Sequence, residues 1–303
     1  VFRVAAQGGK QGVLAASHVA TALRRVSHRV RYATEEDRDS PWLIEFVLES
    51  KTALSGSVPD PQTMASLLWS ISMMRFAFPE ILELLPALQT TLPAVVEVMS
   101  LPNVTLSLSA AARMRQEAGP VSCDMVAELL LAALKRRAEM KPFHIAVTMS
   151  AAASSMAAGD RGQILVDTPR ILLEGMTVER LRLFSFQDLA KVVWAAVQLS
   201  YRDVDFLRGV SEVVAESAGE VDDRTAREYI PFVVCAFARF RYRSDEMFDA
   251  IASRLLKKSL LRRMSRWGIA SLAWSLPEPW GGQSSVLFNS LEAVVRKRRL
   301  SQL

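Results

Sequence analysis

Three groups of basic side chains near the end of the chain are the residues whose chemistry is easiest to read. Arg239, Arg241 and Arg243 form the first. Lys257, Lys258, Arg262, Arg263 and Arg266 form the second, and Arg296, Lys297, Arg298 and Arg299 the third. A guanidinium presents a planar fork of donors that matches phosphate oxygens two at a time, and a lysine ammonium adds a point charge. Residues 239–303 hold 13 Lys and Arg against 5 Asp and Glu, whereas residues 1–238 hold 24 against 27. The net charge of +5 therefore belongs to the C-terminal part. Such polarity predicts an acidic partner at one end, and nucleic acid is the usual one. A lone basic cluster could equally complement a helix dipole. Three clusters together favour a track for a phosphate backbone.

Residues for other chemistry do not assemble. The chain has no phosphate-cradling Gly-rich loop, no nucleophile elbow and no paired-histidine zinc motif. Gly8-Gly9-Lys10 is a fragment with no strand before it. Cys123 and Cys235 lie far apart, and His18, His28 and His144 have no ligand at metal-binding spacing. The acidic runs Glu35-Glu36-Asp37 and Glu220-Val221-Asp222-Asp223 fall where helices should start, and are expected as caps and solvated turns. No catalytic residue, metal, cofactor or small-molecule substrate is expected. No apolar run is long enough to span a membrane. The low cysteine content fits a reducing compartment.

The elements that would carry the basic clusters follow from an internal repeat. Residues 61–76 read Pro-Gln-Thr-Met-Ala-Ser-Leu-Leu-Trp-Ser-Ile-Ser-Met-Met-Arg-Phe. Residues 186–201 read Phe-Gln-Asp-Leu-Ala-Lys-Val-Val-Trp-Ala-Ala-Val-Gln-Leu-Ser-Tyr. Gln, an apolar-Ala pair, two apolar residues, Trp and a closing aromatic fall in the same places. With the Trp position as anchor, weaker copies centre on Arg24, Leu131, Cys235 and Trp274. Met64, Leu67, Leu68 and Ile71 share one helix face, and Asp60-Pro61 is a helix start. A second helix is expected after each copy: 41–54, 79–88, 142–156, 204–216, 245–258 and 284–298.

The expected fold is all-α: an α-solenoid of six helix-turn-helix repeats of about 40 residues, in one domain over 1–303. The anchor spacings of 45, 62, 63, 41 and 39 leave two insertions, near 89–121 and 157–183, open to reading as inserted loops, extra helices or one decayed repeat. In these, Leu101-Pro102-Asn103 reads as a turn and Gly159 to Gly162 as a loop. Trp69, Trp194 and Trp274 are expected in the core. The aromatics Phe76 and Tyr201 are expected to plug the seam between helices. No acid precedes Glu35, while Arg and Lys are present, so residues 1–12 read as a possible organellar transit remnant.

The pattern Gln-x-apolar-Ala-x-apolar-apolar-Trp-Ala/Ser-x-x-x-apolar-x-aromatic resembles the repeat of octotricopeptide-repeat and FAST-kinase-like proteins. Residues 62–76 and 187–201 carry it best, 230–242 and 269–276 in part. Pro277-Glu278-Pro279-Trp280 is similar to a short element of the same repeats. The resemblance implies a mitochondrial or plastid RNA-binding protein acting on organellar transcripts or ribosomes. The RAP domain that often follows such repeats is not visible, so its nuclease-like activity is not carried over. The expected function is non-catalytic RNA binding in the mitochondrial matrix or a plastid. The expected setting is a structural subunit of a mitochondrial ribosome or similar assembly, with other protein subunits as partners. The competing expectation is a protein–protein scaffold that does not touch RNA.

Overall fold

A computed structural model describes residues 15–29, 41–115, 121–159, 162–256, 260–275 and 283–300. Among them every regular element is helical and none is a strand. In chain order the α-helices are α1 (Ala16–Ser27), α2 (Pro41–Gly56), α3 (Pro61–Met74), α4 (Leu85–Val96), α5 (Leu101–Arg115), α6 (Cys123–Lys135), α7 (Pro142–Ala157) and α8 (Gln163–Leu173). They continue as α9 (Val178–Leu181), α10 (Phe186–Gln198), α11 (Val204–Ser217), α12 (Asp223–Phe240), α13 (Asp245–Leu256), α14 (Leu260–Arg263), α15 (Arg266–Ser275) and α16 (Gln283–Leu300). A 3-10 segment, Pro79–Leu84, leads into α4.

The helices start where side chains can satisfy the first free amides. Asp60 accepts from the backbone N–H of Gln62 and Thr63 at 3.0 and 3.1 Å, with Pro61 as the first helical residue. Asp203 and Asp222 do the same for α11 and α12. Ser185 accepts from the Asp188 N–H and donates its hydroxyl to the Asp188 carboxylate, capping α10. At the other end, α10 and α12 close alike. Ser200 and Arg241 take positive φ, 56° and 52°. The next N–H, of Tyr201 or Tyr242, donates back to Ala196 or Phe237. These are the closing aromatics of the repeat, and both are half-buried. The Tyr201 hydroxyl donates to Asp203, and burial, then the Asp203 carboxylate, push the phenol up to about 12.

The chain divides into two compact units, Val1–Met140 with Ala151–Leu165, and Lys141–Ser150 with Val166–Leu303. In the first, α1, α3 and α5 pack side by side as one layer. The second layer is α2, the 3-10 segment with α4, and α6. In the second unit, α10, α12 and α15 form one layer and α11, α13 and α16 the other, with α9 against α11. Within each unit the layered helices pack on their sequence neighbours and on the equivalent helix of the next pair, as expected of helical repeats. The α12–α15 contact is close: a Cβ on Gly268 would lie 2.7 Å from Met264 Cγ and 3.3 Å from Pro231 Cγ.

This packing decides one open alternative and corrects three expectations. Of the alternatives open for 89–121 and 157–183, the structure shows helices, since these stretches hold α5, α8 and α9. Leu101-Pro102-Asn103 is the first turn of α5, where a proline loses no hydrogen bond. Leu131 was aligned with the first-layer anchors, but its helix, α6, packs on α4 and α5 in the second layer. With α5 in the first layer instead, the first-layer helices open at Ala16, Pro61 and Leu101 in the first unit and at Phe186, Asp223 and Arg266 in the second. Within each unit these starts lie 37 to 45 residues apart. Finally, Phe76 does not plug a seam. It is 70% exposed beneath the Arg75 guanidinium, and Phe78 is the buried aromatic.

Candidate nucleic-acid interface

The apolar face of each first-layer helix lies where its periodicity puts it. Met64, Leu67, Leu68 and Ile71 are buried in α3, and Leu189, Val192, Val193 and Ala196 in α10. At 3.6 residues per turn a residue two places beyond Leu67 stands about 200° round the helix. That is the Trp position, and it faces outward. Trp69 and Trp194 are half-buried, and Trp274 is 61% exposed. The expectation that the three tryptophans form core is therefore wrong. Cys235, which replaces Trp in α12, is buried.

On the outer face of α10, α12 and α15 the rings form a continuous series. The Trp194 ring meets Phe232 at 5.6 Å, nearly edge-on, and Phe232 meets Trp267 at 4.5 Å. Tyr229 lies 6.3 Å from Phe232, and the Lys191 ammonium sits 5.9 Å over Tyr229. The Arg239 guanidinium reaches from the end of α12 to both neighbouring helices, 5.6 Å from the Trp194 ring and 5.7 Å from Trp274. Trp267 and Trp274, seven residues apart on α15, are 45% and 61% exposed. A cation over an exposed ring is stabilised by about 0.5–1 kcal/mol. It also leaves ring faces and guanidinium donors open to a ligand.

The sequence-predicted basic residues separate on the structure. Arg239 belongs to the aromatic face. Arg241 is exposed at the left-handed end of α12. Arg243 is bound to Asp245 at 2.7 Å, which raises its pKa further, and Arg296 to Glu292 at 2.6 Å. Arg262, Arg263 and Arg266 are exposed around the start of α15. The carbonyl of Arg263 accepts from Arg227, near the start of α12. Arg227 and Arg239 are 12 residues apart on α12, about 18 Å along its axis. The first and second clusters therefore mark opposite ends of one helix. Lys257 and Lys258 lie outside the described residues, as do the side chains of Lys297, Arg298 and Arg299. Gly8-Gly9-Lys10, Glu35 to Asp37 and Pro277 to Trp280 also lie outside them.

One basic side chain has a purely internal place. Arg254 in α13 is 6% exposed. It donates to the Val221 carbonyl at 2.9 and 2.5 Å and to Asp223 at 2.8 Å, clamping the turn before α12.

In the first unit, the corresponding face of α1 and α3 is a polar cleft of about 260 Å³. Ser17, Thr21 and Arg24 line one side and Gln62, Thr63 and Ser66 the other, with Asp60 at the helix start. The next turn of each helix brings the His28 ring 5.4 Å from Trp69. Across the layer, Arg113 of α5 donates to the Met73 sulfur at 3.0 Å. The histidines take local roles. His18 and His144 accept from the backbone N–H at their helix starts, and His28 packs on Trp69. Among the described residues no three His, Cys, Asp or Glu side chains gather as a metal would need. No helix among the described residues is long and apolar enough to cross a membrane.

The residues missed by sequence reasoning are Lys191, Trp194, Tyr229, Phe232, Trp267 and Trp274. The available signal was their register: each tryptophan falls outside the i, i+3, i+4, i+7 series of its own helix. Comparison with models of known protein families gives no match, and comparison with curated protein sequences gives none.

Proposed function

We propose that the chain is a non-catalytic RNA-binding helical-repeat protein, with the outer face of α10, α12 and α15 as the binding surface. The observation that carries this reading is the Arg239 guanidinium set between Trp194 and Trp274 on a face of partly exposed rings. Aromatic faces with interleaved cations suit unpaired bases: rings stack on bases while guanidinium groups contact phosphates. The basic residues at either end of α12 would extend the phosphate path. The octotricopeptide-like repeat pattern supports an organellar setting, in the mitochondrial matrix or a plastid. Charge confined to one region supports a subunit of a larger RNA–protein assembly, such as a mitochondrial ribosome, over a free factor.

The test is binding of a fluorescent single-stranded RNA to the purified chain across a salt series. Affinity should fall steeply as salt rises, and should drop when Trp274 and Arg239 are replaced. Absence of salt-sensitive affinity would remove the reading.

A protein partner is the second reading, and one observation favours it. Ile44 and Leu48, one turn apart on α2, are both 56% exposed. These side chains are remote in sequence from the aromatic face, so a ribonucleoprotein subunit could use both surfaces. If RNA binding fails and substitution of Ile44 and Leu48 abolishes assembly, the scaffold reading stands alone.

A further inference from the structure

We propose that Ser265 is a phosphorylation site for a serine kinase that selects arginine before its target. The sequence Arg-Arg-apolar-Ser occurs three times, at 24–27, 262–265 and 298–301. Kinases choose substrates largely by such charge patterns, with acidic kinase grooves receiving the arginines. The structure treats the copies differently. Ser27 is 3% exposed inside α1, and its hydroxyl donates to the Arg24 carbonyl. A kinase cannot reach it without unfolding the helix. Ser301 lies outside the described residues. Ser265 is exposed, in the connection between α14 and α15, and Arg262 and Arg263 before it are exposed as well. The helix that carries those arginines, α14, has only four residues. For this stretch to lie extended in a kinase groove, one helical turn opens and Leu261 and Met264 leave their buried places, a local opening smaller than the loss of α1 that Ser27 would need.

The local geometry suits the modified residue. The Ser265 hydroxyl accepts from the Gly268 N–H at 3.0 Å, as the cap of the ten-residue helix α15. A phosphate there gains the same amides and the helix dipole, and brings nearly two negative charges beside Arg262, Arg263 and Arg266. In the transfer, Ser265 Oγ forms a bond to the γ-phosphorus of ATP as the bond to the bridging oxygen breaks. ADP leaves, and the hydroxyl proton passes to the kinase's catalytic carboxylate. The product would carry less positive charge at this end of α12 and α15. The assignment stands whether or not the chain binds RNA.

The test uses the full folded chain, the purified cyclic-AMP-dependent kinase and ATP, with modified residues located by mass spectrometry of peptides. Synthetic peptides 21–31 and 259–269 serve as unfolded controls and should be labelled at similar rates. In the folded chain, phosphate should appear on Ser265 and not on Ser27, and Ser265→Ala should remove it. Arg262→Ala with Arg263→Ala keeps the acceptor and should slow labelling about tenfold or more. Labelling of peptide 259–269 without labelling of Ser265 in the folded chain would overturn the proposal. So would equal labelling of Ser27 and Ser265, or indifference to the two arginines.

Discussion

The Arg239 guanidinium of α12 lies 5.7 Å from the ring of Trp274 on α15, the next helix of its layer. Because Trp274 is mostly exposed, this contact contributes little to folding and leaves the ring available. Trp274→Ala should therefore change stability by less than about 0.5 kcal/mol. Its affinity for single-stranded RNA should fall by the worth of one stacked base, about 1–3 kcal/mol or roughly 5- to 150-fold. Fluorescence anisotropy and urea unfolding measure the two effects separately. Unchanged affinity would sink the stacking role.

The basic residues should not be equivalent. Arg239 stands on the aromatic face, whereas Arg243 and Arg296 are held by Asp245 and Glu292. Arg239→Glu should weaken binding more than Arg243→Glu or Arg296→Glu, and should lower the slope of affinity against salt by about one phosphate contact. Equal losses at all three positions would mean that only bulk charge matters.

Arg254 should matter to the fold and not to the ligand. Removing it leaves the Val221 carbonyl and Asp223 without their buried partner. Arg254→Ala should cost about 2–4 kcal/mol in urea unfolding. RNA affinity, measured where the variant is still folded, should be that of the parent chain.

The close approach of α12 and α15 predicts a penalty at Gly268. Alanine would gain about 0.5–1 kcal/mol in helix preference. Its methyl, however, would meet Met264 and Pro231, and overpacking of this kind costs about 1–3 kcal/mol. Gly268→Ala should thus be destabilising, and Met264→Ala should relieve part of the loss when combined with it. Additive effects in the double variant would contradict the contact.

Asp60 and Asp222 set the direction of the acid response. The Thr63 and Thr225 hydroxyls, with the helix amides, hold both carboxyls below the ordinary aspartate value of 3.8. A lowered folded pKa means that their stabilisation is present above that value and is lost as pH falls through the folded pKa. Glu128 runs the other way. Burial, then Asp124, raises it, so its ionisation opposes folding and is relieved in acid. Asp60→Ala should lose about 1 kcal/mol at neutral pH through the missing cap. It should also flatten the decline of stability below about pH 4. An unchanged acid limb would show that the cap does not couple to folding.

The fold was legible from residues 61–76 and 186–201 because a buried helix face must recur every three or four residues. Asp60-Pro61 and Asp222 were legible as helix starts for the same local reason. The register of the middle was not, because Leu131 satisfies the same apolar pattern from a second-layer helix. Periodicity says that a helix has a buried side, and it does not say which layer the helix joins. The tryptophans were misread because a large apolar ring was credited with burial. Its angle on the helix decides its place, and that angle puts it opposite the packed face. The separation of the basic clusters along α12 could not be read at all, since it depends on how α14 and α15 fold back against that helix.

That placement divides labour within single helices. In α10 the packed residues Leu189, Val192, Val193 and Ala196 hold the layers together, while Lys191 and Trp194 do not enter the core. Substitution on the outer side can then alter what is recognised without disturbing how the chain folds. A protein built this way can acquire a new ligand one helix at a time. It also offers an engineer a set of surface positions, Lys191, Trp194, Phe232, Arg239, Trp267 and Trp274, that can be varied together on an intact frame.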